Sequence, residues 1–292
     1  MIKHEFGGDW TTDKLERLRK YLCAYMTIFT KNPKAQYFRT IYVDAFAGTG
    51  HRVGSAQRTD AAAPDEATDA EAESFRKGSA RIALEVAPSF HRFIFIERDA
   101  GRVSELEALR AEFSAKDVRI EQGDANAFLK QWCKETDWKR HRAVVFLDPY
   151  GMQVDWETLE ALAKTKAVDL WLLFPLGVAV NRLLTRAGPP PDEWARALTR
   201  IFGTSDWEQA FYPKKQVETL FGPEETQRKD ATLEAIGRFF LDRLKTIFAA
   251  VAPNPLPLLN STNTPIYLLC FAAGNPKGAK PAVKIAQDIL KK

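Results

Sequence analysis

The chain has 292 residues, a formal net charge of +4 at pH 7 and 45% hydrophobic residues, enough for one large core. That mildly basic balance admits an anionic partner without requiring one. Cys23, Cys133 and Cys270 lie far apart, with no CxxC pair and no histidine at ligand spacing, which argues against a disulfide framework or a cysteine–histidine metal centre. No long Gly/Ser/Pro linker divides the chain, so it is read as one domain, 1–292, carrying insertions. Met1-Ile2-Lys3-His4-Glu5 lacks the apolar run of a secretory leader. The most apolar window, 167–180, is too short for a bilayer core of about 30 Å and contains Asp169 and Pro175. The expectation is a cytoplasmic protein.

In chain order, residues 11–29 predict a helix, with Leu15, Leu18, Leu22, Tyr25 and Met26 at spacings of three and four and Thr12 or Asp13 as its cap. Asn32-Pro33 ends it, and the segment 1–39 is read as an N-terminal helical extension. Residues 40–46 form the first strand, turning at Gly48-Thr49-Gly50. The stretch 55–76 is rich in Ala, Asp, Glu and Thr and poor in large apolar residues, which predicts a mobile loop. A short helix follows at 79–86, then a strand at 93–96 ending on Glu97, an amphipathic helix at 101–113 and a strand at 118–121. Gly123-Asp124-Ala125-Asn126 opens a helix to Lys134. The strand 143–147, the helix 156–164 and the strand 168–174 complete the alternation, which calls for a parallel sheet with helices on both faces.

The pattern changes from 188 to 230, where Pro189-Pro190-Pro191 opens a segment carrying Trp194, Trp207, Phe211 and Tyr212. This is read as a helical insertion. A long helix over 231–251, a hairpin from strands at 257–260 and 266–271, and a helix at 279–290 finish the chain. Five strand–helix units, a helix and then a hairpin follow the element order of the class I S-adenosylmethionine (SAM) methyltransferase fold, a Rossmann-like, mostly parallel seven-stranded sheet.

Two apolar runs end in an acid and then a sharp turn: Tyr42-Val43-Asp44-Ala45-Phe46-Ala47-Gly48-Thr49-Gly50 and Val144-Val145-Phe146-Leu147-Asp148-Pro149-Tyr150-Gly151. In open α/β sheets ligands bind beyond the carboxyl ends of the strands. The glycine turn lacks the third glycine of a dinucleotide fingerprint, and no Lys-Ser/Thr follows to make a phosphate-cradling loop. An acid at that strand end suits the sulfonium and amino group of SAM instead. Glu97, ending the second strand, suits the two hydroxyls of a ribose, and Asp124 either an adenine amine or a helix N-cap. A nicotinamide dinucleotide would explain Glu97 but not the acids around it. Asp44, Gly48, Gly50, Glu97 and Asp124, with the flanking Phe46, Arg98 and Ala125, are the candidate cofactor residues. Asp148, Pro149 and Tyr150 are the candidate catalytic ones. An exocyclic amine on a base has a delocalised lone pair, so acceptors at Asp148 or the Pro149 carbonyl would draw its nitrogen toward tetrahedral geometry while Tyr150 stacks on the planar substrate. Arg182 lies either in the cleft or on the surface. Lys214, Lys215, Arg228 and Lys229 make either a nucleic-acid surface or a solvated face. His51, beside the glycine turn, is read as incidental. No cluster suggests a metal, and no Ser-His-Asp arrangement suggests a hydrolase.

Taken together, several segments resemble the three-Cys-motif partner protein family (TcmP) over nearly the whole chain. They are Trp10-Thr11-Thr12-Asp13-Lys14-Leu15, Val43-Asp44-Ala45-Phe46-Ala47-Gly48-Thr49-Gly50, Phe95-Ile96-Glu97-Arg98-Asp99, Gln122-Gly123-Asp124-Ala125-Asn126 and Phe146-Leu147-Asp148-Pro149-Tyr150-Gly151-Met152-Gln153. Leu173-Phe174-Pro175, Asn181-Arg182-Leu183 and Gly274-Asn275-Pro276-Lys277-Gly278 continue the match. The resemblance implies a class I methyltransferase-like fold and a partner protein that carries the three-cysteine motif. More narrowly, Asp124-Ala125-Asn126 paired with Asp148-Pro149-Tyr150-Gly151 is similar to the pairing in tRNA guanine-N2 dimethyltransferases. Adenine-amine enzymes more often have two prolines where this chain has Pro149-Tyr150. The expectation is a SAM-dependent methyltransferase acting on an exocyclic amine of a nucleic-acid base. The competing expectations are a SAM-binding scaffold without methyl transfer, and a methyltransferase of a protein or small-molecule amine.

Overall fold

The five apolar runs become the spine of one sheet. A computed structural model, which describes residues 9–47, 78–219, 222–260 and 262–291, places them as β1 (Arg39–Ala45), β2 (Arg92–Glu97), β3 (Val118–Gln122), β4 (His141–Leu147) and β5 (Val168–Phe174). All but β3, at the sheet edge, are buried along most of their length. Near-continuous Val, Ile, Leu and Phe is what a parallel strand needs when helices cover both faces. The helices are α1 (Asp9–Lys31), α2 (78–85), α3 (Ala100–Glu112), α4 (Ala125–Glu135) and α5 (Trp156–Lys164). Because α1 begins at Asp9, Thr12 and Asp13 lie inside it rather than at its cap. The expected loop at 55–76, Gly48, Gly50 and His51 lie outside the described residues.

After β5 the chain makes a π-helical turn at Leu176–Val180, then α6 (Asn181–Leu183), α7 (Asp192–Phe202) and α8 (Asp206–Phe211). The insertion 188–230 is therefore helical only in its first half. Its second half is an antiparallel hairpin of β6 (Lys214–Thr219) and β7 (Gly222–Gln227). The reason is local: this stretch has no apolar stripe at helical spacing, and Gly222-Pro223 supplies the two poorest helix formers. α9 (Leu233–Lys245) is likewise shorter than the expected 231–251. A turn closed by Thr246 N–H to Arg243 O and Ile247 N–H to Leu244 O stops it, and Ala250–Val251 pairs with Ala272 and Ala273 as β8. The expected hairpin is present as β9 (Leu256–Leu259) and β10 (Pro265–Ala273), followed by α10 (Ala279–Leu290).

Strand order across the main sheet is β3-β2-β1-β4-β5-β10-β8, with β9 also on β10. The first five strands run parallel and β10 runs antiparallel to β5. The sheet is thus seven positions wide, its last position shared by two short strands. That order and those directions are the ones expected of a class I methyltransferase-like fold. Alternation divides the core in two: Ile41, Val43 and Ala45 pack with α4, α5, α7 and α9, whereas Tyr42 packs with α1, α2 and α10.

At the amino-terminal end of the strands, Asp169 of β5 adjoins a hollow of about 230 Å³ between α1 and α10. The Tyr21 hydroxyl donates to its Oδ2 at 2.8 Å. Burial pushes the Asp169 carboxyl from 3.8 up to about 7, while the Tyr21 hydrogen bond and the Arg142 charge pull it down without reversing the shift. The folded chain therefore holds this proton more tightly than the unfolded one, and stability falls as pH rises from 3.8 through about 7. Chemical denaturation at about pH 5 and about pH 8 is expected to show this loss, at up to about 1.4 kcal/mol per pH unit, and Asp169→Asn is expected to reduce it. Equal losses in the two proteins would remove Asp169 as the cause.

Candidate functional site

Strand order reverses at β1, where β2 and β3 lead one way and β4 and β5 the other. A crevice opens at such a switch point, beyond the carboxyl ends of the two middle strands. The register sets what lines it. Ala45 is level with Ile96 and with Leu147, so Phe46, Glu97 and Asp148 occupy the next row on three neighbouring strands. Asp44 lies two residues below that row, opposite Phe95 and Phe146.

Asp44 and Asp148 are both almost fully buried. On the Asp44 side, the Ser79 hydroxyl of α2 donates to Oδ2 at 2.8 Å, and the Tyr42 hydroxyl at 3.4 Å. The Tyr42 phenol is held well above its usual range, first by burial, then by the charge and hydrogen bond of Asp44, then by the charge of Asp148. Asp44 pairs with Phe146, two residues before Asp148, so the register puts the two acids on adjacent strands near the same strand ends. Phe46 then turns the chain with a φ of 70°. A left-handed aromatic residue is strained, and such strain concentrates where a ligand or a tight turn demands it.

Glu97 is buried at the end of β2, and its Oε1 accepts the backbone N–H groups of Arg98 at 2.7 Å and Asp99 at 2.6 Å. Burial raises its carboxyl above the ordinary range; the two N–H donors and the Arg102 charge oppose that rise. Arg98 itself points to solvent. Asp124 is the N-cap of α4, accepting Ala127 N–H through Oδ1 at 2.9 Å, and Ala125 begins that helix buried. In both acids the protein's hydrogen bonds go to one oxygen. Glu97 Oε2 and Asp124 Oδ2 have no hydrogen-bond donor among the described residues.

The loop after β4 is held from three directions. Pro149 is buried, Tyr150 is half-buried, and Gly151 takes the left-handed conformation at φ 70°. Tyr150 N–H donates to Gln153 Oε1 at 2.9 Å. Asn126, buried at the start of α4, donates through Nδ2 to Gln153 O at 2.7 Å and accepts on Oδ1 from Asp155 N–H at 3.0 Å and Thr158 Oγ1 at 2.8 Å. Arg200 of α7 reaches Met152 O at 3.3 Å and Asp155 Oδ1 at 3.3 Å. Residues Ser79, Asn126, Gln153 and Arg200 were not among the sequence candidates. Asn126 and Gln153 lie inside the quoted motifs, where their polarity in otherwise packed segments was the available signal. Nothing local marks Ser79 or Arg200.

Of the other candidates, Lys214 pairs with Glu225 at 2.9 Å and Lys215 with Asp230 at 2.6 Å. Arg182 is exposed on α6. Burial pushes the Cys133 thiol up to about 12 and raises Cys270 as well, so neither is poised as a nucleophile. No helix among the described residues is long and apolar enough to cross a membrane.

No protein-family model and no curated protein matches this chain. Among solved structures, protein LPL1258 from Legionella pneumophila is similar with a TM-score of 0.47 and 12% identity, over 97% of this chain and 92% of that one. An S-adenosylmethionine-dependent methyltransferase from Clostridium acetobutylicum matches with a TM-score of 0.36 and 9% identity, over 88% and 91%. The N-terminal domain of EvdMO1 with SAH bound matches with a TM-score of 0.38 and 10% identity, over 87% and 80%. At such scores these likenesses decide nothing; the class I methyltransferase-like fold stands on strand order and strand direction.

Proposed function

We propose that this protein is a SAM-dependent methyltransferase acting on an exocyclic amine of a nucleic-acid base, and that it works with a three-Cys-motif partner of the kind its TcmP resemblance implies. The observation that carries the proposal is that Asp44, Glu97 and Asp148 stand buried at the carboxyl ends of β1, β2 and β4, three adjacent strands at the switch point. The donor set fits the cofactor. Glu97 Oε2 has no hydrogen-bond donor among the described residues and would suit ribose hydroxyls; Asp124 Oδ2 would suit an adenine amine, and Asp44 a sulfonium. When bound, SAM supplies an electrophilic methyl group on that sulfonium.

The protein's own part is to make a poor nucleophile competent. Asp148 accepts a hydrogen bond from the substrate amine, and the Pro149 carbonyl is a second acceptor. Together they pull the nitrogen out of conjugation with the ring. Tyr150 gives the base a stacking face, held by Gln153 and by the Asn126 clamp. Most of the rate then comes from positioning, because a fixed nitrogen in line with the methyl replaces a bimolecular encounter. An amine inside a duplex is out of reach, so the target is single-stranded or flipped out.

The test has two arms. Calorimetric titration with S-adenosylhomocysteine is expected to give saturable binding. Tritium transfer from labelled SAM into RNA or DNA, with and without the partner, is expected to give label lost to nuclease and retained after protease. Binding without transfer to any acceptor would leave a SAM-binding scaffold, and label lost to protease would make the substrate a protein amine.

A further inference from the structure

The basic residues that follow β5 differ in what they face. On the hairpin, Lys214 and Lys215 are neutralised by Glu225 and Asp230. Next to it is a hollow of about 670 Å³, lined by Arg182, Arg186 and Lys229 together with Asn181 and Thr185. Among the described residues no carboxylate lines it, and no ion pair involves those three cations. Lys229 Nζ donates to Asn181 Oδ1 at 2.5 Å. Burial and the neighbouring Arg186 charge both push the Lys229 ammonium below its usual range. Like charges gathered around one hollow, with no carboxylate among the described lining residues, raise the local potential in favour of an anion.

Hydrogen bonds tie parts of the cleft's backbone together. Lys229 N–H donates to Arg186 O at 3.3 Å, and Asp230 N–H to Phe211 O at 2.9 Å. The Tyr212 hydroxyl bonds Thr185 O at 2.9 Å, and Gln227 Nε2 bonds Tyr212 O at 3.1 Å. These bonds fasten the chain at Thr185 and Arg186 to the segment that carries the hairpin and Lys229. Arginine matches phosphate oxygens in a forked, bidentate geometry. The cleft follows the π-helical turn directly after β5, on the same end of the sheet as Asp148.

We infer that Arg182, Arg186 and Lys229 form a phosphate-binding cleft that holds the backbone of a nucleic-acid strand beside the nucleotide presented to Asp148. This rests on the methyltransferase reading for the identity of the strand, whereas the cation cleft itself does not. The experiment is fluorescence anisotropy with short labelled single-stranded RNA and DNA oligonucleotides across a salt series. The proteins are wild type, the double variant Arg182→Ala/Arg186→Ala and the control double variant Lys214→Ala/Lys215→Ala. The cleft variant is expected to lose about tenfold in affinity, and its slope of log affinity against log salt is expected to fall by about 1.4, two phosphate contacts' worth for a single strand. The control variant is expected to stay within about twofold of wild type. Wild type failing to bind either oligonucleotide, the cleft variant binding like wild type, or the control losing as much as the cleft variant would each overturn the inference. Full competition by a mononucleotide at equal phosphate concentration would replace the strand with a small phosphorylated ligand. S-adenosylhomocysteine calorimetry on the same proteins separates the two proposals: loss of cofactor binding in wild type strikes the methyltransferase reading and leaves the oligonucleotide result to stand or fall alone.

Discussion

On the proposed methyltransferase reading, replacing Asp148 by alanine is expected to reduce methyl transfer by about a hundredfold to ten-thousandfold, the range for removing a group that acts on the reacting proton or charge. Affinity for SAM is expected to stay within a few-fold. The separation follows from the row geometry: Asp148 leads from β4 into the Pro149-Tyr150 loop, whereas Glu97 and Asp124 stand on the β2 and β3 side. Because Asp148 is buried, its removal also leaves a gap, so Asp148→Asn is the second variant. It keeps the volume and an acceptor oxygen but loses the charge. Single-turnover transfer, cofactor calorimetry and a thermal melt on both variants decide the matter. If cofactor affinity collapses while the melt is unchanged, Asp148 belongs to the cofactor pocket and the assigned division of labour is wrong.

Gly203→Ala is expected to cost about 2–4 kcal/mol of stability, combining a left-handed backbone penalty with overpacking. Gly203 ends α7 at φ 68°, and an added Cβ would fall 2.1 Å from the ring of Trp156. That ring has little room to yield. It is buried, Arg243 stacks over it at 4.7 Å, and Arg243 Nε is in turn bonded to Phe202 O at 3.0 Å. Trp156 opens α5 just after the catalytic-candidate loop, so the strain is delivered next to the Asn126 clamp. Urea denaturation measures the loss. A change below about 1 kcal/mol would mean that Trp156 has a second rotamer open to it.

The strands and their ends were legible in the chain because each reports its own surroundings. A strand covered on both faces must be apolar through its buried centre, as β4 is from Ala143 to Leu147 and β5 from Leu170 to Phe174. Asp44, near the carboxyl end of β1, and Asp148, directly after β4, stand out because a charge at the end of an apolar run has no packing reason to be there. Legibility ended where a residue's role depends on a partner far along the chain. Lys214 and Lys229 look alike in sequence, yet one faces Glu225 and the other faces Arg186. The second half of the insertion was missed because a short polar hairpin carries almost no periodic signal. Asp169 looked like one more charge breaking an apolar window until α1 laid Tyr21 across it.

Local pattern alone therefore settled the alternation of strands and helices, the layered architecture and the positions of the acids along the chain. Hydrophobic periodicity and turn chemistry are short-range properties that each segment carries with it. Only the folded arrangement decided that Asp44 and Asp148 stand on adjacent strands, that Asn126 and Arg200 hold the loop after β4, and which cations lack a carboxylate among the described residues. Electrostatic interaction and hydrogen bonding depend on distance in space, and the chain does not disclose that distance until the sheet has brought its strands side by side.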